Sequence, residues 1–440
     1  MSLKLQLCFY FMLSVIVCTV SATPFKNTEG LLTPLGGLLE GNSEGSIPLW
    51  IGGGLSSSDL INLTTEQAKL IINIQNYKKH IHRLSSAQIQ MIERFPDSYK
   101  IYIYKTLRTQ HAPQWLYNAT EKNKTSAKLE NEGTLLSGTW PGVPFPIPKS
   151  GVEIVWNHLL SWRGVSFEAN MTETVVYPKK KMELNTSIKT VFYYFDKKRH
   201  ELTNSKILSY LSSITAPAAL AGDKLLVSDY ANTTKKPRQT WIYLSNTRKV
   251  QRVPAATFDN ILSNSGGLRL ADEVNMYNGS PELYQWKVIE KKEIYIPYNN
   301  QNIAFSNIKK ENLLTPNHIN SSLIRNELHR VWVLEGTLKE GKQHIYPRRI
   351  FYIDEDSWTI VISESYNKKN ELWRSAFSHP VYYPSMPGVF SGLDSFYDSK
   401  RAMYYSQWFR LEGHEGIKFK DTLYNKRNFS PSALRREAKR

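Results

Sequence analysis

From about residue 163 to residue 425 apolar and polar positions alternate in short runs. Four segments share one layout: VFYYFDKKRHEL, TWIYLSNTRKVQRV, IFYIDEDSWTIVI and SFYDSKRAMYYSQW. Each has a run rich in aromatic and β-branched residues, a polar turn holding Asp or Asn, and a second alternating run, which is the sequence form of a β-hairpin. Alternation gives each strand one buried and one wetter face, and no helical crossover separates the hairpins, so an antiparallel sheet is expected. The chain ahead of it reads differently. Residues 23–60 are rich in Gly, Pro and Ser and read as an extended arm. Residues 61–162 read as a helical segment packed on the sheet: Thr64 with Gln67 and Ser85 with Gln88 each form a capping box, and Pro96 stops the second helix. A third helix, in KSGVEIVWNHLLSW, puts Val152, Val155, Trp156, Leu159 and Leu160 on one stripe with Gly164 beyond its end. Residues 426–440 are a basic tail, expected as a short amphipathic or frayed end. The class is therefore mainly β, with helices added (α+β).

The same pattern assigns Asp354, Glu355 and Asp356. They occupy the turn position that Asp196, Asn246 and Asp398 occupy in the sibling hairpins. Short polar side chains there bond the local backbone and point to solvent. These three acids are expected to form a turn and not a catalytic or metal-binding cluster, with Trp358, Ile360 and Ile362 lining one strand face beyond it.

Residues 1–22 carry one lysine, an apolar run from Leu5 to Val17 and then Val20-Ser21-Ala22, the layout of a secretory signal peptide. Val17 stands where a lipidated Cys18 would need a small residue, so a soluble exported protein is expected rather than a lipoprotein. No later apolar run approaches the roughly 20 residues needed to cross a bilayer. Cleavage after Ala22 removes Cys8 and Cys18, the only 2 cysteines, which excludes a disulfide-stapled module, a cysteine nucleophile and a cysteine metal site. An exported chain without disulfides fits a bacterial periplasm. The formal net charge is +17, spread as pairs and triplets such as Lys179-Lys180-Lys181 and Arg348-Arg349 beside turns, where they protect sheet edges. A basic exported protein meets anionic lipid or polysaccharide more readily than nucleic acid. Aromatic residues at 12% favour strands and apolar pockets.

Candidate chemistry is sparse. Gly41-Asn42-Ser43-Glu44-Gly45 matches G-x-S-x-G, but a nucleophile elbow needs a strand feeding it and a helix leaving it, and Pro48 interrupts any helix. His80 and His82 are one residue apart on an expected helix and point to different sides, and no H-E-x-x-H occurs. His158, beside Trp156, is expected as a satisfied structural histidine. Gly52, Gly53 and Gly54 lack a following Lys-Ser/Thr, so no phosphate loop forms. No catalytic residue, metal site or cofactor is expected.

Several stretches together resemble a known family: LTPLGGLLEGNSEGSIPLWIGG, ERFPDSYKIYIYKTLRT, APQWLYNATEKN, GVPFPIPKSGVEIVWNHLLSWRG, TAPAALAGDKLLV and RRIFYIDEDSWTIVISESYNKKNELWR. They are similar to the exported bacterial proteins grouped as domain of unknown function 1329 and labelled outer-membrane lipoprotein-sorting or LolA/LolB-like. The resemblance covers nearly the whole mature chain. It implies a curved, incomplete antiparallel barrel with helices near its concave mouth, here residues 163–425, and a protein that shields an apolar cargo, working beside a transporter of the resistance-nodulation-division type or an outer-membrane partner. The family supplies no catalytic residues to carry over. A curved sheet rich in Trp, Tyr and Phe can enclose a cavity that holds a lipid or another hydrophobic small molecule. The expected lining is Trp156, Leu159, Trp162, Arg163, Trp241 and Trp332, where helix stripe and strand faces meet; Arg163 would meet an anionic head group there or serve as a helix-end cation. The expected role is a periplasmic, non-enzymatic carrier or chaperone, with an envelope adaptor docking a transporter or outer-membrane protein as the alternative.

Overall fold

The structure is a computed structural model and describes residues 31–178, 183–193, 206–253, 258–262, 264–305, 308–410, 416–421 and 429–437. The signal peptide expected at residues 1–22 and the turn at Asp196 lie outside the described residues.

The strands are β1 (Leu70–Ile72), β2 (Ile101–Ile103), β3 (Lys128–Glu130), β4 (Leu135–Ser137), β5 (Ser166–Val176), β6 (Glu183–Tyr193), β7 (Lys206–Ala216), β8 (Lys224–Tyr230) and β9 (Gln239–Leu244). They continue as β10 (Lys249–Val253), β11 (Tyr284–Pro297), β12 (Asn326–Leu338), β13 (Arg348–Asp354), β14 (Ile360–Tyr366), β15 (Leu372–Tyr383), β16 (Gly388–Asp398), β17 (Tyr404–Phe409) and β18 (Ile417–Lys420). The helices are α1 (Ser57–Thr65), α2 (Ser86–Arg94), α3 (Gln114–Ser126), α4 (Gly151–Leu159), α5 (Gln301–Phe305), α6 (Lys310–Leu313) and α7 (Pro431–Glu437).

All strands but β3 and β4 join one 16-stranded sheet. Two antiparallel meanders build it, β5 to β10 and β11 to β17, fused where β17 pairs with β5 through Tyr404↔Val176 and its neighbours. Among the described residues β10 pairs only with β9 and β11 only with β12, so the sheet stays open. The protein is thus mostly β with some helices on an open, non-closed sheet, the class that the alternation implies. The hairpin turns between β9 and β10, β13 and β14, and β16 and β17 fall where the polar turn residues stand.

The helical expectations divide. Ser85 and Gln88 do form a reciprocal cap ahead of α2, and α4 starts at Gly151 under Ser150, with Gly164 beyond it at φ +82°. Thr64 does not start a helix. It sits in the last turn of α1, its hydroxyl donating to the Ile61 carbonyl at 2.7 Å, because Ser56 and Asp59 already form the capping box. The Leu-Ile-Ile that follows pairs with β2 as a strand, which its β-branched residues favour. Residues 61–162 therefore give the sheet two strands as well as helices.

Two apolar layers sandwich the β12–β16 part of the sheet. On one face Trp332, Leu334, Phe351, Ile353, Ile360, Ala376 and Phe390 pack with Ile154, Val155 and Trp156 of α4. On the other, Val331, Val333, Tyr352, Val361, Phe377 and Leu393 pack with Ala87 and Met91 of α2, Ile303 of α5 and Leu313 of α6.

Candidate functional site

The face beneath α4 carries most of the residues expected to line a pocket. Trp156 is fully buried and its indole N–H donates to the Gly133 carbonyl at 2.8 Å. The Trp162 N–H donates to the Met386 carbonyl at 2.9 Å, and its ring meets Trp115 edge-on. Trp332 stacks on Trp358 with ring centroids 6.1 Å apart and an interplanar angle of 17°. Leu159 packs against this core. The Arg163 guanidinium turns back to the end of α4 and donates to the His158 carbonyl at 2.9 Å, the helix-end role. Trp241 is elsewhere: it packs on β9 against Leu211, Leu226, Tyr243 and Leu434 of α7. One expected lining residue of the six is thus separated from the other five, because β9 lies near the far end of the β5–β10 meander.

Among the described residues this interior is packed with side chains. Residues 264–283, the irregular connection ahead of β11, lay Leu268, Met276 and Tyr277 into the same core. Tyr277 meets Trp286 and Phe351 at 5.3 and 5.4 Å. The void bordering the core, at Leu268, Ala376 and Phe396, is about 10 Å³, the room one water needs. The expected open cavity is occupied by the chain's own segment. Polar contacts pin that segment. His158 Nε2 lies 3.1 Å from the Tyr277 carbonyl, and Nδ1 lies 3.0 Å from the Trp358 carbonyl and 3.2 Å from the Ile360 N–H. Burial, with Arg163 nearby, pushes the His158 pKa down to about 3, so it stays neutral. Arg238 donates to the Ala271 and Asn278 carbonyls and pairs with Asp229 at 2.7 Å. Arg349 is fully buried and pairs with Asp272 at 2.6 Å. His344 Nε2 sits 3.3 Å from the same carboxylate.

The opposite end of the sheet corrects the sequence expectation for the acidic turn. Asp354, Glu355 and Asp356 do make the turn, but at 0%, 2% and 3% exposure they are buried. The turn is roofed by the arm of residues 31–56, and long-range cations meet the acids. The Arg108 Nε–H and Nη2–H donate to both oxygens of Asp356 at 2.8 and 2.6 Å, and the same guanidinium donates to the Leu38, Leu39 and Pro48 carbonyls. Lys291 and Arg330 reach Glu355 at 2.5 and 3.3 Å. A side chain at Gly37 would put its Cβ 2.5 Å from Asp356 Oδ1, so only glycine lets the arm lie this close. Trp358, held at φ +58°, donates its indole N–H to the Leu35 carbonyl at 2.8 Å.

His329 on β12 stands between two carboxylates, Nδ1 3.2 Å from Asp354 and Nε2 3.3 Å from Glu327, under the Tyr298 ring at 4.2 Å. Burial opposes its charge, but the hydrogen bonds to Asp354 and Glu327 prevail and lift its pKa to about 9. Asp354 and Glu327 are held low against burial, Asp354 by His329 and Glu327 by Arg325 and His329. Donor atoms of His329, Asp354 and Asp356 lie within 4.8 Å of one another. Arg108 engages both oxygens of Asp356, so the charge that a cation would neutralise is already met by a guanidinium. Ser43 is exposed in a turn closed by the Asn42 N–H on the Ile47 carbonyl, without the strand and helix of an elbow. The two polar ends escaped the sequence because each joins residues far apart in the chain; only the density of Arg and Asp beside strand ends hinted at them.

An aromatic interior under one helix, closed by an irregular segment and bounded by two buried ionic clusters, defines an open-sheet β protein with a covered apolar core. The chain belongs to the family described as "Protein of unknown function (DUF1329)", whose model matches residues 71–435. It is 35% identical over 443 residues to Uncharacterized protein PA3922 of Pseudomonas aeruginosa, covering 97% of this chain and 95% of that protein. Among solved structures, a DUF1329 family protein from Desulfovibrio piger is similar at 14% identity, over 62% of this chain and 92% of that one, with a TM-score of 0.42. A domain described as an outer membrane lipoprotein-sorting protein from Vibrio parahaemolyticus covers 65% of this chain and 98% of its own at 12% identity and TM-score 0.45. The LolA superfamily protein NE2245 from Nitrosomonas europaea covers 64% and 97% at 12% identity and TM-score 0.38.

Proposed function

We propose that this protein is a non-enzymatic carrier or chaperone of the bacterial periplasm that binds a lipid or another apolar molecule. One observation carries the reading: part of the cover over the aromatic face of the open sheet, beside α4, is an irregular segment, residues 264–283, rather than a strand or a long helix. A segment without regular backbone pairing can be exchanged for a ligand at lower cost than a strand or a core helix. Leu268, Met276 and Tyr277 would yield their places to the cargo, against Trp156, Trp332 and Phe351. No helix among the described residues is long and apolar enough to cross a membrane. The test is mass spectrometry of an organic extract from protein purified gently out of the envelope, beside a Trp332→Ala variant. A discrete lipid or hydrophobic metabolite that falls in the variant is expected; an empty extract from folded protein would overturn the reading.

The envelope-adaptor alternative is favoured by a different observation. Leu49 and Ile51 of the arm stand 53% and 89% exposed, an apolar pair open to a partner. Crosslinking in cells that captures a transporter of the resistance-nodulation-division type or an outer-membrane protein, lost in Ile51→Asp, would support it. A lone monomer would sink it.

A further inference from the structure

The residue that pins segment 264–283 is built for more than it now holds. Arg349 on β13 is fully buried, its guanidinium framed by the Tyr277, Tyr346 and Phe351 rings at 5.3, 5.3 and 5.0 Å. Nη1 donates to Asp272 Oδ2 at 2.6 Å, and the Tyr284 hydroxyl stands beside the guanidinium. Nε and Nη2 are buried without a hydrogen-bond partner, and Glu273 Oε1 lies 3.6 Å from Nη2, beyond hydrogen-bonding length. Asp272 Oδ1 is unpartnered as well. A guanidinium is a fork that matches a carboxylate or a phosphate through two parallel N–H bonds, and Asp272 engages one tine. Buried donors left unmade cost stability, so this contact is the weak clasp of an otherwise packed region. Arg349 also stands at the head of an apolar track. Phe351 and Ile353 follow it on the same strand face, in the core that contains Trp332 and Trp358, and alternate residues of a strand point to one side.

We propose that Arg349 is the head-group site for an anionic amphiphile, a carboxylate or phosphate monoester on an apolar chain. The anion takes the position of Asp272 and engages the idle N–H groups. The chain runs past Phe351 and Ile353 into the space that Tyr277 and Met276 vacate. Burial raises the pKa of the neighbouring Glu273, favouring its protonated form, which lowers the negative charge an entering anion meets. Arg374 is already engaged with Tyr346 at 3.0 Å and Asp398 at 3.4 Å, and Arg269 leaves only its Nε unmade, whereas Arg349 leaves both Nε and Nη2. The inference rests on the carrier reading and specifies its ligand.

The test compares oleate, 1-oleoyl lysophosphatidate and monoolein, which share a chain, as displacers of a fluorescent fatty-acid probe from the protein purified from the envelope, with inorganic phosphate as a fourth arm. One of the two anionic amphiphiles is expected to bind roughly tenfold tighter than monoolein, the worth of one charge-assisted hydrogen bond; which of them wins names the source of the anion. Asp272→Asn keeps the side-chain shape, frees the guanidinium, and widens that ratio by about tenfold. Arg349→Lys keeps the charge and loses the fork, narrowing the ratio by a similar factor; it decides the matter should thermal melting show Asp272→Asn unfolded. Equal binding of all three amphiphiles in the wild type overturns the head-group site and leaves the carrier standing. Inorganic phosphate displacing the probe as well as lysophosphatidate also overturns it, because the site would then need no chain. No displacement by any arm overturns both readings.

Discussion

The two meanders share one strand grammar but live in different surroundings. In the β11–β17 meander, β14 and β16 are buried at every position. In the β5–β10 meander, β7 alternates, and β10 shows an exposed or half-buried side chain at each residue. The difference lies in what the rest of the chain places on them. The β12–β16 strands carry α4 on one face and α2, α5 and α6 on the other, whereas β8, β9 and β10 receive the short α7 on one face. Burial of a strand is thus a property of its neighbours, and polar residues in a buried strand must find partners in distant segments. Glu364 of β14 shows how: its carboxylate accepts the Ala87 N–H at 2.7 Å, in the first turn of α2, where the helix dipole and free N–H groups favour an anion.

On this contrast the largest loss comes from emptying the doubly covered region. Trp358→Ala removes a fully buried indole and its bond to Leu35, and is expected to cost about 4 kcal/mol in a urea unfolding experiment. A cost under about 1 kcal/mol would mean that this face is not a packed core.

Arg108→Ala comes next. It leaves Asp356 buried with neither of its guanidinium bonds and cuts the arm's anchor at Leu38, Leu39 and Pro48, and breaking a buried pair from one side costs about 3 kcal/mol. Limited proteolysis should then cut between residues 31 and 56 well before the sheet. Unchanged proteolysis would show that the arm is held by other contacts.

The pH dependence is of similar origin and somewhat smaller. His329 has a folded pKa near 9 against an unfolded value of about 6.5. A raised folded pKa means that its contribution is fully present below the unfolded value and is lost as pH climbs toward the folded one. Stability should therefore fall by up to about 3 kcal/mol between roughly pH 6.5 and 9, and His329→Gln should flatten that slope. An unchanged slope in the variant would remove His329 as its cause.

How much of this was written in the sequence depends on the range of the interaction. The hairpins around Asn246, Asp354–Asp356 and Asp398, the Ser85–Gln88 cap and the α4 stripe were legible, because periodicity and caps act within a few residues. The fate of the acidic turn was not. Its chemistry as a turn is local, but its burial depends on Arg108, Lys291 and Arg330, and on an arm some 300 positions away whose glycines suggest only flexibility. The pocket expectation divides in the same way. Trp156, Trp162 and Trp332 meet in one core, yet what fills that core is Tyr277 and Met276, from a stretch with no periodic signal at all. Trp241 was grouped with them because helix stripe and strand faces were expected to meet on the concave side, and the strand order separates it.

Trp241 supplies the smallest and most discriminating test. Its side chain is half-buried on β9, packed with Leu211, Leu226 and Leu434 under α7. Truncation to Ala exposes little new interior and lets α7 settle, so the cost should be about 1–2 kcal/mol, below the usual range for a buried aromatic. It should leave any ligand affinity untouched, because Trp241 belongs to a core cluster distinct from the one beneath α4. Measured beside Trp332→Ala, it separates two tryptophans that look alike in sequence. Equal stability losses would mean that the two meanders are equally well packed; a matching loss of ligand in Trp241→Ala would mean that the cargo site lies on the β5–β10 side of the sheet.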